Sequence, residues 1–394
     1  MAKLTIRDLD LKDKLVLMRV DFNVPLDEKL NVTDDIRIRA ALPTIKYALD
    51  NGAKKIILMS HLGRPDGKVK EELRLNPVAK RLEELLGIRV KKLDDCVGDL
   101  TKKEIKESAE KIILLENLRF HPEEEKNDSG FAKQLAALGD LFVNDAFGTC
   151  HRAHASTEGV THYLTSAAGF LLEKEIKYLG EALANPRRPF VVILGGAKVS
   201  DKIGVIEHLL PKADAILIGG AMAYTFLKAK DINIGNSKFE KDKIELAKKI
   251  LEKANNLKKN LVLPSDHLIA DKIEPNAKTL NTKDSNIPEG WLGVDIGEKT
   301  IDAFKKVLKN AQTIAWNGPL GIFETDSFSK GTKEIALFIA GLSAITVVGG
   351  GDTASAVAKF GVEEKMTHVS TGGGASLEYM EGKVLPGIAS LRDK

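Results

Sequence analysis

The segment from Pro189 to Lys202, PFVVILGGAKVSDK, lies near the middle of the 394-residue chain and contains the pattern that decides the fold. The apolar run Phe190–Leu194 leads directly into Gly195-Gly196, and helical apolar spacing follows. This order predicts a strand buried on both faces, a tight loop and a helix. Lys198 and Lys202, four residues apart, would share one face of the first helical turns, where an anion could bind. A solvated lysine pair beside an ordinary loop explains the segment equally well.

The composition is that of a well-cored globular protein. Hydrophobic residues make up 43% and charged residues 29%, and the net charge is only +3, so we expect no nucleic-acid partner. The two cysteines, Cys96 and Cys150, are too few for a zinc cage or a disulfide framework, which favours a reduced, cytoplasmic setting. The first residues, MAKLTIRDLDLKDK, predict no secretory signal, and no apolar run approaches the roughly 20 residues of a membrane span, so we expect no membrane partner.

Short apolar runs alternate with helical patterns along both halves of the chain. Strands are predicted at Leu15–Val20, Lys55–Met59, Lys111–Leu115, Asp140–Val143, Phe190–Leu194, Ala213–Ile218, Leu261–Leu263, Thr313–Trp316, Ala344–Val348 and Thr367–Ser370. Helices are predicted at Ile36–Leu49, Asn76–Leu86, Thr101–Glu110 and, as a connector ended by Pro186 and Pro189, Gly169–Leu183. The alternation predicts an α/β protein with two Rossmann-like domains, each a mostly parallel sheet with helices on both faces.

In the first half, cationic and polar side chains follow the predicted strands. Arg64, Arg119 and Arg152 lie in the segments that follow predicted strands, together with several histidines, and Arg37 opens the helix after the first loop. Ligands of open α/β sheets bind at the carboxyl ends of the strands, so these side chains should meet at one edge. The planar fork of arginine suits phosphate or carboxylate. One such arginine would be ordinary surface, but four predict a pocket for a small anion.

In the second half, glycine follows the predicted strands instead. Glycine-rich segments occur at 195–196, 219–220, 317–319, 349–353 and 371–376. Repeated glycine at one sheet edge predicts close approach of the backbone to nucleotide phosphates. A small anion on one half and a nucleotide on the other indicate group transfer, with a phosphoryl group as the natural candidate.

Two other classes of protein stay open on the residues alone. The segment from Gly349 to Ala354 fits G-x-G-x-x-A, the fingerprint of a dinucleotide-binding dehydrogenase, but the next strand ends in Thr371-Gly372 without the expected acid. No G-x-x-x-x-G-K-[ST] loop is present. A non-catalytic sugar-phosphate-binding protein would also have two lobes, although it would not need so many glycine loops.

Eight motifs resemble those of the phosphoglycerate kinase family, and they stand in the family's order over essentially the whole chain. The first four, resembling the substrate half, are Arg19-Val-Asp-Phe-Asn-Val-Pro25, Ser60-His-Leu-Gly-Arg-Pro65, Leu115-Glu-Asn-Leu-Arg-Phe-His121 and Asn144-Asp-Ala-Phe-Gly148. The other four, resembling the nucleotide half, are Gly195-Gly-Ala-Lys-Val-Ser-Asp-Lys202, Trp316-Asn-Gly-Pro319 with Phe323-Glu324, Gly349-Gly-Gly-Asp-Thr353 and Ser370-Thr-Gly-Gly-Gly-Ala-Ser376. Ala221, Leu320 and Cys150 replace residues usual in the family, and none of these departures touches a charged site residue.

The resemblance implies a role for individual residues. Substrate binding is implied for Asp21, Phe22, Asn23, Arg37, His61, Leu62, Gly63, Arg64, Arg119 and Arg152. Nucleotide binding is implied for Lys202, Gly219, Gly220, Gly293, Glu324, Gly350, Gly351, Asp352 and Thr353, and Asp352 would also bind Mg²⁺. Catalytic roles are implied for Arg37 and Lys198, which would neutralise the transferring phosphoryl group, and for the backbone amides of Gly372, Gly373 and Gly374.

The resemblance also implies the reaction and the domain plan. The expected reaction is magnesium-dependent phosphoryl transfer between 1,3-bisphosphoglycerate and ADP, giving 3-phosphoglycerate and ATP, by a monomer whose hinge closes. The segment from Leu385 resembles the family's tail, which returns to the first domain. We therefore expect a substrate domain at 1–170 with 384–394, a connecting helix at 171–186, and a nucleotide domain at 187–383.

Overall fold

The computed structural model describes residues 2–394, which divide into two compact units. Unit 1 runs to Ile176 and also contains Val384–Lys394, and unit 2 is Lys177–Lys383. Each unit has one six-stranded parallel sheet, which confirms the predicted fold class.

The strands have the following bounds. Those of unit 1 are β1 Leu15–Val20, β2 Lys55–Met59, β3 Val90–Lys92, β4 Ile112–Leu114, β5 Leu141–Asp145 and β6 Thr165–Ala168. Those of unit 2 are β7 Phe190–Leu194, β8 Ala215–Ile218, β9 Asn260–Val262, β10 His267–Ala270, β11 Thr279–Asn281, β12 Leu292–Ile296, β13 Thr313–Asn317, β14 Ile345–Gly349 and β15 His368–Val369.

The helices cover the faces of the sheets and the connections between strands. Their bounds are α1 Ile36–Asp50, α2 Asn76–Leu86, α3 Asp99–Glu107, α4 Pro122–Glu125, α5 Ser129–Ala136, α6 Phe170–Glu175, α7 Ala182–Ala184, α8 Ile203–Leu209, α9 Met222–Ala229, α10 Ile244–Asn256, α11 Glu298–Leu308, α12 Lys330–Ala340, α13 Gly351–Lys359, α14 Gly374–Met380 and α15 Pro386–Ala389. A π-helical segment, Ile176–Glu181, joins α6 to α7.

Strand order creates a crevice in each large sheet. The order is β3-β4-β2-β1-β5-β6 in unit 1 and β15-β14-β13-β7-β8-β9 in unit 2. The chain therefore builds outward in opposite directions from the pair β1 and β5, and from the pair β7 and β13. Ligands of open α/β sheets bind beyond the carboxyl ends of the strands at such switch points.

The strands at these switch points form because their residues are apolar on both faces. Every residue of β7 and of β13 is buried, and only Leu15 of β1 is partly exposed. The unit 1 cluster includes Val16, Met18 and Val20, and the unit 2 cluster includes Ile193 and Trp316. Fixed strands give the loops at their carboxyl ends a rigid base.

Several elements of the structure lie outside the strands and helices that the sequence predicted. β3 is a half-buried VKK segment, and β6 is TSAA, so neither has a strong strand pattern. A small antiparallel sheet, β11-β10-β12, was also not predicted, and its edge strand β11 is fully exposed. The helix predicted at Thr101–Glu110 is Asp99–Glu107, because Gly98 precedes it at φ +99° and Ser108 leaves the helix.

Candidate active site

The loop after β1 brings Asp21 to two of the predicted substrate residues. Arg37, in the first turn of α1, donates a hydrogen bond of 2.6 Å from Nη1 to Asp21 Oδ2. His61, which follows the neighbouring strand β2, has Nδ1 3.9 Å from Asp21 Oδ1. The carboxyl ends of β1 and β2 and the start of α1 therefore meet around one carboxylate.

His61 is neutral in this position. Burial, followed by the charges of Arg19, Arg119 and Arg37, lowers its pKa well below 6.5, so its approach to Asp21 is no ion pair. Arg19 donates from Nη2 to His61 Nδ1 at 3.1 Å. An imidazole that accepts at Nδ1 carries its proton on Nε2, and that N–H can be donated to an anion.

The loop from Ser60 to Pro65 is held from both sides by side chains. Asn23 Oδ1 accepts a hydrogen bond of 2.9 Å from Gly63 N, and Arg119 Nη1 donates to Gly63 O at 3.0 Å. Gly63 has φ +63°, which suits glycine. Phe22 and Leu62 are buried, and their backbone N–H groups bond to Ser60 Oγ and Asn117 Oδ1, so these two residues anchor the loops rather than present side chains.

The arginines give this edge of the sheet an excess of positive charge. Arg64 and Arg152 are exposed, and within residues 2–394 neither guanidinium has a hydrogen bond or ion pair. Arg119 is almost buried, with Nε 3.3 Å from Glu125 Oε1. Burial, followed by the charges of Arg19, Arg119 and Arg152, lowers the pKa of His154 to about 3. Two of the predicted arginines, Arg119 and Arg152, thus lie close enough to lower the pKa of one histidine, which agrees with a site for a small anion.

Arg19 supports the pocket from below, and the sequence analysis did not name it as a site residue. Its side chain is fully buried, with Nε donating to Ser156 Oγ at 2.8 Å. Ser156 Oγ in turn donates to Glu124 Oε1 at 2.6 Å, so a buried carboxyl lies behind the buried cation. The available signal was a single arginine inside the otherwise apolar strand LVLMRV.

In unit 2, three glycine loops meet at the switch point. Gly195 N donates to Asn317 O at 3.0 Å, Gly196 N to Pro319 O at 2.9 Å, and Gly220 N to Leu320 O at 2.9 Å. Gly220 has φ +64°, and a Cβ there would lie 2.6 Å from Gly196 N. Side chains are excluded here because the loops after β7, β8 and β13 touch through their backbones. Gly219 is buried directly behind this contact.

A cavity of about 340 Å³ opens beside these loops. Gly293 forms part of its wall, and Tyr224 packs behind Gly293 so closely that a Cβ there would overlap the phenol. The other lining residues include Gly220, Ala221, Ile273, Leu292, Val294, Leu320, Ile322, Glu324 and Asp352. A mostly apolar slot with a few polar groups at its edge is typical of a site for a flat aromatic base. Tyr224 and Ile273 carry no motif, so the sequence analysis missed them.

A second cavity, of about 190 Å³, shares Asp352 with the first. It is lined by Lys202, Asn317, Gly318, Gly350, Gly351, Asp352, Thr353, Gly373, Gly374 and Leu377. The nine-residue helix α13 begins here, after Gly350 at φ +88°, and its first N–H groups are free of helix partners. Such a helix start, with a lysine opposite, suits phosphate groups. Gly372 is buried beside this cavity, at the start of the α14 segment.

The two lysines of the opening segment do not share a helix face, so that expectation was wrong. α8 begins only at Ile203, so Lys198 lies in the preceding loop and Lys202 is the residue before the helix. Lys202 Nζ donates to Asn317 Oδ1, and burial lowers the pKa of Lys202. Lys198 is exposed and, within residues 2–394, its ammonium has no hydrogen bond or ion pair. One lysine is therefore fixed in the wall of the second cavity, and the other is available to a ligand.

Asp95, Cys96 and His121 form a separate group of possible metal ligands in unit 1, with ligand atoms within 4.8 Å of one another. His121 Nε2 and Asp95 Oδ1 are already hydrogen-bonded at 2.7 Å. The Cys96 thiol is fully buried, and burial raises its pKa well above 9.0. A satisfied His–Asp pair over a protonated thiol accounts for this group without a metal.

Comparison with known proteins identifies the class. The phosphoglycerate kinase family model matches residues 6–383. The chain is 56% identical over 399 residues to the phosphoglycerate kinase of Moorella thermoacetica and 57% identical over 400 residues to that of Thermosipho africanus, covering 99–100% of each pair. The solved structure of phosphoglycerate kinase from Coxiella burnetii superposes with a TM-score of 0.91 at 41% identity, with 98% of both chains covered.

An α/β protein of this fold, with a cationic pocket in one unit and a nucleotide-sized glycine groove in the other, belongs to the phosphotransferases. The chain is a member of the phosphoglycerate kinase family. It is therefore a kinase, and its family implies phosphoglycerate and ADP or ATP as substrates. Two of the departures from the family pattern, Ala221 and Leu320, line the larger cavity, and Cys150 packs against Gly387. Every helix within residues 2–394 is too short or too polar to span a bilayer.

Proposed function

We propose that the chain catalyses reversible phosphoryl transfer between 1,3-bisphosphoglycerate and ADP, giving 3-phosphoglycerate and ATP, as a cytoplasmic monomer in glycolysis and gluconeogenesis. The observation that carries the proposal is the family match over residues 6–383, because both ligand sites fall within it. A dehydrogenase is not favoured, since the strand that follows the 349–354 fingerprint, β15, leads into Ser370-Thr371-Gly372 and has no acid at its carboxyl end to bind a ribose.

The acidic substrate would bind in the unit 1 pocket. Arg64 and Arg152 have free guanidinium groups for a phosphate or carboxylate, and Arg119 holds the loop that carries Arg64. His61 would donate its Nε2–H, while Asp21 and Asn23 accept from substrate hydroxyl groups or hold neighbouring donors. Charge-assisted and bidentate contacts of this kind orient a small anion.

The nucleotide would bind along the two cavities of unit 2. The base would lie in the apolar slot against Gly293, with Gly220 in the wall of the slot and Gly219 buried next to it in the chain. Glu324 at the edge of the slot would accept from the ribose. The phosphates would reach the start of α13 at Gly350, Gly351 and Thr353, opposite Lys202.

Catalysis would come from fixed positive charge and oriented N–H groups. The transferring phosphoryl group carries its charge on three equatorial oxygens, and donors aimed at these oxygens lower the barrier. Lys198 and Arg37 would neutralise this charge, together with the amides of Gly372, Gly373 and Gly374. No general base is needed, because a nucleotide phosphate oxygen or the glycerate carboxylate is already ionised at neutral pH. The low pKa of His61 agrees with a binding rather than a proton-transfer role.

Asp352 fits a magnesium ion bound together with nucleotide phosphates. Its carboxylate is exposed in the space shared by the two cavities, and no hydrogen bond or ion pair to it occurs within residues 2–394. Mg²⁺ commonly takes one or two carboxylates, several waters and substrate phosphate oxygens. When bound, the ion would screen phosphate charge.

The domain assignment is part of the proposal. We infer a substrate domain at 1–170 with 384–394, a connecting helix at 171–186 and a nucleotide domain at 187–383. Because the two substrates would bind to different domains, in-line transfer requires hinge closure, and the Gly169–Leu183 connector and segment 316–324 would take part.

A coupled assay with 3-phosphoglycerate, ATP and Mg²⁺ tests the proposed function. We expect turnover with all three components and none when Mg²⁺ is chelated. Glycerol 3-phosphate, which lacks the carboxylate acceptor, should give no turnover. Turnover with that compound, or none with 3-phosphoglycerate, would contradict the proposal.

A further inference from the structure

We propose that Glu240 is a positioning residue that holds the loop carrying Lys198 in its productive place. This inference rests on the proposed function, since it concerns how Lys198 reaches the phosphoryl group. Glu240 lies between α9 and α10, 40 residues along the chain from the loop that it contacts.

The contact is a two-point clamp on Ser200. Ser200 N donates to Glu240 Oε2 at 3.0 Å, and Ser200 Oγ donates to Glu240 Oε1 at 2.5 Å. Ser200 stands two residues after Lys198 and two before Lys202. Both oxygens of one carboxylate therefore fix the midpoint of the segment that separates the two lysines.

Apart from the burial of its neighbour Val199, few other contacts constrain Lys198. The backbone hydrogen bonds of Gly195 and Gly196 hold the start of the loop, and the bond from Lys202 N to Val199 O closes its end. Lys202 is also fixed by Asn317, whereas the Lys198 ammonium has no bonding partner in the described chain. The direction in which Lys198 leaves the loop thus depends on the backbone near Ser200.

Glu240 is itself held by the wall of the larger cavity. Its backbone N donates to Thr225 Oγ1 at 3.1 Å, and Thr225 is buried on α9, the helix that follows Gly219 and Gly220. Four residues earlier, Asn236 lines the cavity, and Ser237 Oγ accepts from Gly293 N at 2.9 Å. Segment 236–240 therefore joins the base-sized slot to the Lys198 loop, and Glu240 is its contact with that loop.

Glu240→Gln and Ser200→Ala weaken the clamp in different ways. Glutamine keeps the shape of glutamate but removes its charge, so that the Ser200 hydroxyl has to turn and accept from the glutamine NH₂ group, whereas Ser200→Ala removes one donor and leaves the charge unchanged. We expect each variant to lower kcat about tenfold, because small misplacement of a catalytic group is costly. The KM for 3-phosphoglycerate and the midpoint of thermal unfolding should stay near wild type, and the double variant should be no worse than Glu240→Gln.

The decisive measurement repeats Glu240→Gln in the Lys198→Ala background. If Glu240 acts through Lys198, the second substitution lowers kcat by less than twofold there. A tenfold loss in both backgrounds would mean a general structural role and would overturn the proposal, as would unchanged kcat in the wild-type background. Glu245→Gln, which removes an exposed carboxylate paired with Lys248 on α10, is the matched control and should leave kcat unchanged. An inactive wild-type protein would instead count against the proposed function.

Discussion

The two candidate ligand sites differ in whether side chains or backbone groups form them. The unit 1 pocket consists of side chains, with Arg37, His61 and Arg119 held by hydrogen bonds of 2.6–3.1 Å around the ends of β1 and β2. The unit 2 groove consists mainly of backbone, with glycine loops after β7, β8 and β13 in direct contact and a helix start at α13. Both lie at the carboxyl edge of a parallel sheet, so the same fold supports two kinds of recognition.

The difference predicts how each site can be damaged. Removing a side chain should weaken the unit 1 pocket, since its binding groups are the side chains themselves. In the glycine groove there are few side chains to remove, and the damaging change is instead the addition of a methyl group. The exceptions are the polar side chains of that region, which include Lys198, Lys202 and Asp352.

Replacing Lys198 should therefore have the largest effect. We expect Lys198→Ala to lower kcat by about 10²–10³-fold, the loss typical of removing one group that stabilises transition-state charge. Nucleotide binding, measured by calorimetry, should change little, because Lys198 does not line either cavity. Lys249→Ala, at an exposed position on α10, serves as the control. Near wild-type kcat in Lys198→Ala would remove its catalytic role.

Arg64→Ala tests the side-chain pocket. The exposed guanidinium has no bonding partner within residues 2–394, so its loss should not change the unfolding temperature. The KM for 3-phosphoglycerate should rise about 10–100-fold, in line with the ~1.5–3 kcal/mol of a charged hydrogen bond, while the KM for ATP stays constant. Arg89→Ala, at another exposed site of unit 1, should change neither constant. An equal rise in both KM values would show that Arg64 is not specific to the acidic substrate.

Gly351→Ala tests the backbone groove by adding a methyl group to it. A Cβ at Gly351 meets no atom within 4 Å, so the unliganded fold can accept it, yet the residue lines the phosphate-sized cavity. We expect the Kd for ADP to rise about tenfold, or ~1.4 kcal/mol, with no loss of thermal stability. Gly341→Ala, at the end of α12 and outside both cavities, should leave ADP binding unchanged. Unchanged ADP affinity in Gly351→Ala would mean that phosphates do not occupy this cavity.

The sequence predicted the parts of the fold that depend on local pattern. Strands such as Phe190–Leu194 and Lys55–Met59 were predicted with the bounds observed, because apolar runs that end at glycine or polar residues leave little freedom. The small sheet was missed, since β11 is exposed and the other partner of β10 is β12, which lies beyond β11 in the chain. Antiparallel pairing over such distances leaves no local signal.

The same limit applies to the site. The glycine and arginine motifs identified the edge of each sheet, and the geometry of the cationic residues then followed from parallel topology. Residues that support the site from behind carry no motif. Arg19 contacts His61, and Tyr224 packs against Gly293, only because distant segments fold together. Glu240 likewise contacts Ser200 across 40 residues of chain, which no periodicity encodes.

The smallest predicted effect concerns pH and the carboxylate behind the glycine groove. Asp295 on β12 is fully buried, its Oδ2 accepts from Gly331 N at 2.5 Å, and burial raises its pKa from 3.8 to about 8. The folded state therefore holds a proton that the unfolded chain has lost, so stability falls as pH rises from about 4 to about 8 and levels off above. In unit 1, burial raises the pKa of Asp145 to about 7, so Asp145 stops contributing to the pH dependence of stability at about pH 7, below the limit for Asp295.

Between pH 7 and 8 the decrease of stability with pH should come from Asp295, and it can be measured for unit 2 separately. Both tryptophans, Trp291 and Trp316, lie in that unit, so their fluorescence follows its unfolding rather than that of unit 1. Wild type should lose stability over this interval, whereas Asp295→Asn should show a flatter profile whatever its absolute stability. Asp302→Asn, at an exposed position on α11, should keep the wild-type slope. If stability still falls between pH 7 and 8 in Asp295→Asn, the groove is not supported by a protonated carboxyl. The contrast between a pocket of fixed cations in unit 1 and a groove packed against a neutral acid in unit 2 would then fail.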